Sequence, residues 1–329
     1  MVWPATLVDN SPLAGGPRTK ASHMLRHSLA RFATSIVTLL AVVAIAFFLM
    51  HLAPGGPFDT ERAIDPQTLK QLKALYGLDR PLPQQFGLYL WGLLHGDLGP
   101  SLRWRDFTVA ELFARALPVS LTLGSEALIL ALFGGLALGL IAAMRRQGLA
   151  ARAVGSFALL AIAVPSFVIA PLLQLVFGLA LRTLPVGGWN DGAWQNQVLP
   201  VATLALPQLA VIARLLTAAL GDVLRAPSIR TLRAFGLPGR IVYAHALRGS
   251  FLPVLSYLGP MAANLLTGSA VVETVFGIPG IGHYFVVAAL GRDYTLVLGT
   301  VIVVAALVIL FNVFVDVLYG WIDPRVRQE

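Results

Sequence analysis

Six apolar runs, each long enough to cross a lipid bilayer, constrain the fold of this chain more than any other feature. They cover about residues 29–52, 119–143, 153–181, 199–220, 251–275 and 295–320. A helix needs about 20 apolar residues to cross a hydrocarbon core about 30 Å thick. Because lipid offers no hydrogen bonds, only helices and closed barrels satisfy their backbone there, and runs of this length are typical of helices. The sequence therefore predicts an all-α polytopic membrane protein with six transmembrane helices.

The arginines beside these runs predict how the spans are oriented. Arg26 and Arg31 accompany the first run, and Arg145 and Arg146 follow the second. Loops rich in Lys and Arg stay in the cytoplasm, so both chain termini are expected there. The same rule accounts for the net charge of +8. We therefore expect a membrane-lipid environment and no nucleic-acid partner.

The polar sequence around the predicted transmembrane domain, 29–320, forms four segments. Residues 1–28 are expected to be a disordered cytoplasmic tail, because polar, Pro- and Gly-rich sequence dominates there. The other three are an outer segment at 54–118, a cytoplasmic loop at 221–250 and a cytoplasmic tail at 321–329. Within the outer segment, short helices are predicted at 66–76 and 82–94.

The loop at 221–250 carries an unusual excess of positive charge. Against a single acid, Asp222, it has five arginines: Arg225, Arg230, Arg233, Arg240 and Arg248. Gly236 and Pro238 divide it into two predicted helices, the first capped by Ser228. The second is expected to begin at about residue 239 and to stop at Gly249.

Apolar residues of the first helix recur at a spacing of three, at Ile229, Leu232 and Phe235. Residues at this spacing share one helix face, and Arg230 and Arg233 lie on the neighbouring face. Such a helix, held against a membrane, is suited to docking into a groove of another protein. The alternative is a loop whose arginines only fix the topology.

The sequence lacks the motifs of common catalytic and nucleotide-binding sites. It has no G-x-x-x-x-G-K-[ST] loop for ATP, no H-E-x-x-H zinc motif and no G-x-S-x-G nucleophile elbow. It also has no cysteine, which excludes disulfides and Cys-ligated metal. We therefore expect no enzyme and no cofactor or metal in this chain. An ion-coupled secondary transporter is the alternative, although the charged relay and internal repeats that it predicts are missing.

Polar residues within the apolar runs are the candidates for lining a membrane pathway, because lipid disfavours them. The candidates are Glu126, Ser166, Asn264, Thr267 and Ser269. For the last three, hydrogen bonds between helices are the alternative. Asp316, near the end of the last run, is expected to pair with Arg325 or Arg327 by snorkelling.

Short motifs along nearly the whole chain resemble those of one transporter family. The longest are Y-G-L-D-R-P-L at 76–82 and G-D-L-G-P-S at 96–101. The others lie at 52–57, 165–167, 184–188, 272–276, 279–282, 292–294 and 323–325. In this order they resemble the permease subunits of ATP-binding-cassette importers of the oligopeptide, dipeptide and nickel type, in particular the first, or B-type, permease. The resemblance implies the type I importer transmembrane fold and the bacterial inner membrane.

The resemblance also implies that the loop at 221–250 couples the chain to an ATPase. The residues that it assigns to coupling are Arg230, Thr231, Arg233, Ala234, Phe235, Gly236, Leu237, Pro238, His245 and Arg248. Among them, Phe235 stands where the family usually has Lys.

By the same resemblance, the chain would work in a larger assembly. The implied partners are a second homologous permease, two cytoplasmic ATPases that use ATP and Mg, and a periplasmic or lipid-anchored binding protein. Di- or oligopeptides are the expected cargo, and nickel, glutathione or another small solute are the alternatives.

Overall fold

A computed structural model describes residues 17–52, 55–58, 65–104, 106–145 and 148–322, with side chains from residue 34 onward except at 267, 268, 316 and 319–322. Regular structure in these ranges is helical, and the one extended feature is an isolated antiparallel bridge between Pro100 and Thr108. The helical fold class predicted from the sequence is confirmed there. The predictions for residues 1–16 and 323–329, for the Asp316 ion pair and for the Thr267 side chain fall outside the described residues.

Twelve α-helices follow one another in the described ranges. They are α1 (Pro17–Leu52), α2 (Pro66–Leu75), α3 (Leu82–Leu94), α4 (Val109–Met144), α5 (Leu149–Ala163), α6 (Ser166–Leu173), α7 (Trp194–Val223), α8 (Pro227–Ala234), α9 (Gly239–Ser250), α10 (Leu252–Phe276), α11 (Ile281–Leu290) and α12 (Tyr294–Ile322). A π-helix (Gln174–Ala180) continues α6, and a 3-10 turn (Asn190–Gly192) precedes α7. Helices α2 and α3 agree with the prediction to within a residue, whereas α1 already begins at Pro17, before the predicted residue 29.

Four helical stretches are long and apolar enough to cross a bilayer by themselves. They are Thr34–Leu52, Val109–Met144, Trp194–Val223 and Tyr294–Val315. Two further candidates are bent: α5 meets α6 with its π-helix at 107°, and α10 meets α11 at 76°. The described residues therefore contain between four and six membrane spans.

Proline explains the break between α5 and α6. Pro165 stands directly before α6, and Val164 before it is extended, with φ −88° and ψ 119°. A proline ring clashes with a helical conformation of the preceding residue, so α5 must end there. Pro165 therefore divides the third apolar run into two helices, which meet at 107°.

The described residues form two compact units, which divide between Val42 and Val43. The first contains the beginning of α1, and the second holds the buried core, centred on α4 and α7. Gly135 and Gly139 of α4 lie so close to α7 that a Cβ on either would overlap it, and the hydroxyl of Thr217 donates to the carbonyl of Gly139 at 3.2 Å. Small residues permit this close approach, as they do in other membrane helices.

A buried carboxylate, Glu273, fixes the bend between α10 and α11. Its Oε1 accepts the hydroxyl of Ser120 at 2.6 Å, and its Oε2 accepts the backbone N–H of His283 at 3.0 Å. The Ser120 oxygen in turn accepts the N–H of Ile281 at 2.9 Å. The first N–H groups of a helix lack partners within it. Side chains of α4 and α10 therefore satisfy the start of α11.

A second buried carboxylate, Asp293, joins the outer segment to α12. It accepts the hydroxyl of Ser101, the N–H of Arg103 at 3.1 Å and the N–H of Leu296 at 3.1 Å. The last of these bonds caps the first turn of α12. Two of the family-like motifs, at 96–101 and 292–294, thus meet at one carboxylate.

Candidate functional site

The loop at 221–250 forms a helical hairpin of α8 and α9, as the sequence predicts. The start of α8 differs from the prediction: Ala226 is its N-cap, no side chain caps it, and Ser228 is the second helical residue. Pro227 stands at the first position, where its fixed φ suits a helix and its missing N–H is not needed. The prediction of a Ser228 cap is therefore wrong.

The end of α8 follows from Gly236, which adopts φ +71°. The N–H of Gly236 bonds the carbonyl of Arg233 at 3.0 Å, and the N–H of Leu237 bonds that of Leu232 at 3.3 Å. This pair of bonds is a Schellman motif, which needs a left-handed residue that glycine provides without strain. Pro238 then follows and caps α9. The predicted boundary at Gly236 and Pro238 is confirmed.

The end of α9 lies beyond the predicted stop. Gly249 remains helical, close to Val223, and α9 ends at Ser250. A glycine inside a helix costs only about 1 kcal/mol, so packing against α7 outweighs this weak stop signal. Helix α10 begins at Leu252, only one residue after α9 ends.

Buried apolar residues fix the hairpin to its own transmembrane helices. Ile229 of α8 and Val242 and Ala246 of α9 are buried in one cluster with Ala143 of α4 and Leu220 of α7. Burying a side chain the size of Ile stabilises a fold by about 1.5–3 kcal/mol. The hairpin is therefore held by packing and not only by its two connections.

This packing corrects the expected docking stripe of Ile229, Leu232 and Phe235. Ile229 is fully buried inside the chain and is not available to a partner, and Leu232 is half-buried against the same cluster. Phe235, the residue after the last turn of α8, is 79% exposed. The stripe predicted from the spacing anchors the hairpin, and only its last member faces outward.

All ten residues that the resemblance assigns to coupling are exposed. They are Arg230, Thr231, Arg233, Ala234, Phe235, Gly236, Leu237, Pro238, His245 and Arg248. Residues 233–241 form an unbroken exposed run at the tip of the hairpin, and Ile241 lies within it. Aromatic and aliphatic side chains beside arginines are the composition of protein interfaces.

The proposed pathway residues lie in different environments. Glu126 in α4 and Ser166 at the start of α6 are half-buried, and Asn264 in α10 is exposed. Ser269 is buried, and its hydroxyl donates to the carbonyl of Leu266 at 2.9 Å.

Two polar residues that the sequence reasoning did not single out meet between α7 and α10. The hydroxyl of Tyr257 donates to Oε1 of Gln208 at 2.7 Å. The side chain of Asn264 also hydrogen-bonds Tyr257. A glutamine in the middle of an apolar run was the available signal, because amides are unfavourable in lipid.

A helical membrane protein with an anchored, exposed and basic hairpin between two apolar helices is the class that this fold and site define. Among the described residues, no cluster of three or more His, Cys, Asp or Glu could hold a metal ion.

The chain belongs to the family described as binding-protein-dependent transport system inner membrane component, which matches residues 135–328. The corresponding N-terminal family of membrane components matches residues 24–102. The resemblance to importer permeases is thereby confirmed, as is the assignment to the inner membrane.

The curated relatives cover nearly all of this chain. The oligopeptide transport system permease protein OppB of Salmonella typhimurium is 48% identical over 305 residues, which are 92% of this chain and 100% of the relative. OppB of Escherichia coli K12 is 46% identical over the same shares. The dipeptide transport system permease protein DppB of Bacillus subtilis is 39% identical over 92% of this chain and 98% of its own length.

Proposed function

We propose that this chain is a permease subunit of an ATP-driven importer and forms, with a second permease, the membrane pathway for di- or oligopeptides. OppB and DppB align with this chain over their whole length or nearly so, and their names support the peptide cargo. Six spans with both termini in the cytoplasm agree with the four single and two bent apolar candidates.

The hairpin of α8 and α9 is the proposed contact with the ATPases. The observation that carries this assignment is the division of the hairpin into two faces. Ile229, Val242 and Ala246 are buried against the transmembrane helices, while the run 233–241 is exposed. Phe235 and Leu237 add exposed apolar surface to this basic face, and aromatic side chains beside arginines are enriched at protein interfaces.

The same hairpin is suited to passing motion to the membrane. Only residues 224–226 separate α7 from α8, and their N–H groups bond back into the end of α7. Helix α9 leads almost directly into α10. A displacement of the anchored hairpin therefore moves α7 and α10 as a connected body.

The chemistry of energy conversion is assigned to partners. Two cytoplasmic ATPase subunits would bind ATP and Mg and close on each other, and the hairpin would follow them. A periplasmic or lipid-anchored binding protein would deliver the peptide to the outer face. This chain would bind no cofactor of its own.

Phe235→Ala tests the coupling role. Phe235 is largely exposed, so its removal is expected to leave insertion and folding intact. Co-purification of the ATPases and peptide uptake should both fall by about tenfold, which corresponds to roughly 1.4 kcal/mol for an interface aromatic. Leu94→Ala, at an equally exposed leucine of the outer segment, is the matched control and should leave ATPase binding unchanged. Normal ATPase binding by Phe235→Ala would contradict the assignment.

A further inference from the structure

The exposed face of α10 differs chemically from the faces that other helices present to lipid. Exposed residues of α12 include Leu310, Phe314 and Val317. On α10, the exposed side chains at spacings of four include Ser256, Pro260 and Asn264, which lie within about 80° of one another around the helix. Polar side chains at this depth face protein or a water-filled cavity rather than hydrocarbon.

The polar group on this face lies at the middle of two membrane helices. Gln208 is the fifteenth of the 30 residues of α7, and Asn264 is the thirteenth of the 25 residues of α10. Tyr257 joins them, because its hydroxyl donates to Gln208 and its side chain is also hydrogen-bonded by Asn264. A hydroxyl has one proton, so the Asn264 amide is the donor in the second bond.

This arrangement orients the amides. The carbonyl oxygen of Gln208 is occupied by Tyr257, so its NH2 group is the part left for another acceptor, and it has no partner among the described residues. Gln208 and Tyr257 are half-buried and Asn264 is exposed, so a molecule beside α10 can reach the group. All three side chains are uncharged.

We infer that Gln208, Tyr257 and Asn264 form a binding site for the main chain of the transported peptide, halfway across the membrane. A side-chain amide carries the same donor and acceptor as a peptide group, so it can bond the part that every peptide shares. Neutral groups do not select among charged side chains. This inference rests on the proposed function and adds to it the site and the part of the substrate that it recognises.

Thiol labelling of the assembled transporter tests whether the site faces water. The chain has no native cysteine, so Asn264→Cys introduces its only thiol. In the complex with its second permease, ATPases and binding protein, a membrane-impermeant thiol reagent should label Asn264→Cys. Leu310→Cys, which is 67% exposed on α12, should stay unlabelled if lipid covers it. If Asn264→Cys is as unreactive as Leu310→Cys, position 264 faces lipid or a dry contact with the second permease. That result would overturn the inference.

Uptake by proteoliposomes tests what the site binds. With saturating binding protein, Tyr257→Phe and Asn264→Leu should each lower the rate for trialanine about 3- to 10-fold, as expected for one hydrogen bond. The wild type should carry backbone N-methylated trialanine more slowly than trialanine, and the variants should lose this preference. Thr38→Val removes an exposed hydroxyl from α1 that bonds the carbonyl of Thr34 in the same helix at 2.9 Å, and it serves as the matched control, with uptake expected to be unchanged.

The outcomes separate this inference from the proposed function. A wild type that carries no peptide at all would refute the proposed function. A wild type that carries trialanine, with Tyr257→Phe and Asn264→Leu equal to it, would refute only the binding site. An equal loss in Thr38→Val would also refute it, because the effect would then not be specific to this group.

Discussion

Gly282→Ala is expected to disrupt the bend between α10 and α11. A Cβ at Gly282 would overlap the backbone of Ala270 in α10, which cannot rotate away as a side chain could. The start of α11 must then move off α10 and away from Glu273, which accepts the N–H of His283 at 3.0 Å. Overpacking costs about 1–3 kcal/mol and a hydrogen bond to a charged group contributes about 1.5–3 kcal/mol. The expected loss of stability is therefore about 2.5–6 kcal/mol.

Hydrogen exchange in the purified protein can measure this loss locally. Amides of residues 281–290 should exchange faster in Gly282→Ala, while those in the middle of α7 should not change. Gly155→Ala in α5 is the matched control, since a Cβ there meets no atom within 4 Å. It should be neutral or stabilise the helix by up to about 1 kcal/mol. Wild-type exchange in 281–290 of Gly282→Ala would refute the account of the bend.

Three further changes test other parts of the structure. Ile229→Ala should cost about 2–5 kcal/mol and speed hydrogen exchange across the hairpin, whereas Phe235→Ala should not, because only Ile229 is buried. Asp293→Ala should cost about 3 kcal/mol or more and expose the amide of Arg103 to exchange, since its buried acceptor is lost; unchanged exchange there would contradict this role. Burial raises the pKa of Tyr89 well above its usual value, and its hydroxyl has no partner among the described residues. Folding therefore favours the neutral form of Tyr89. The free energy of unfolding that this preference contributes is fully present below about pH 10 and is lost as the pH rises toward the pKa of the folded state. Tyr89→Phe should raise stability by about 1–3 kcal/mol and reduce the decline of the melting temperature above pH 10; an unchanged alkaline profile would contradict it.

The sequence predicts the helices and the hairpin boundary well because their signals are local. Apolar runs fix the spans, and Gly236 followed by Pro238 fixes the end of α8. The Ser228 cap failed because Pro227, one residue earlier, starts the helix without a side-chain cap.

Burial and hydrogen bonds that join residues distant in sequence could not be predicted from such local signals. The spacing of Ile229 and Phe235 places them on one face but cannot say that the first is buried and the second exposed. The bond between Ser120 and Glu273 joins residues 153 positions apart, and the bond between Tyr257 and Gln208 joins residues 49 positions apart. No periodic pattern encodes such pairs, since they arise only when the helices pack.

A photo-crosslinking amino acid at position 235 of the complete transporter gives the direct measurement of the coupling proposal. The account predicts a covalent product with an ATPase subunit after irradiation, and none when the same residue is placed at position 94 of the outer segment. A hairpin that reaches no partner from position 235, in an assembly that still imports peptide, would contradict it.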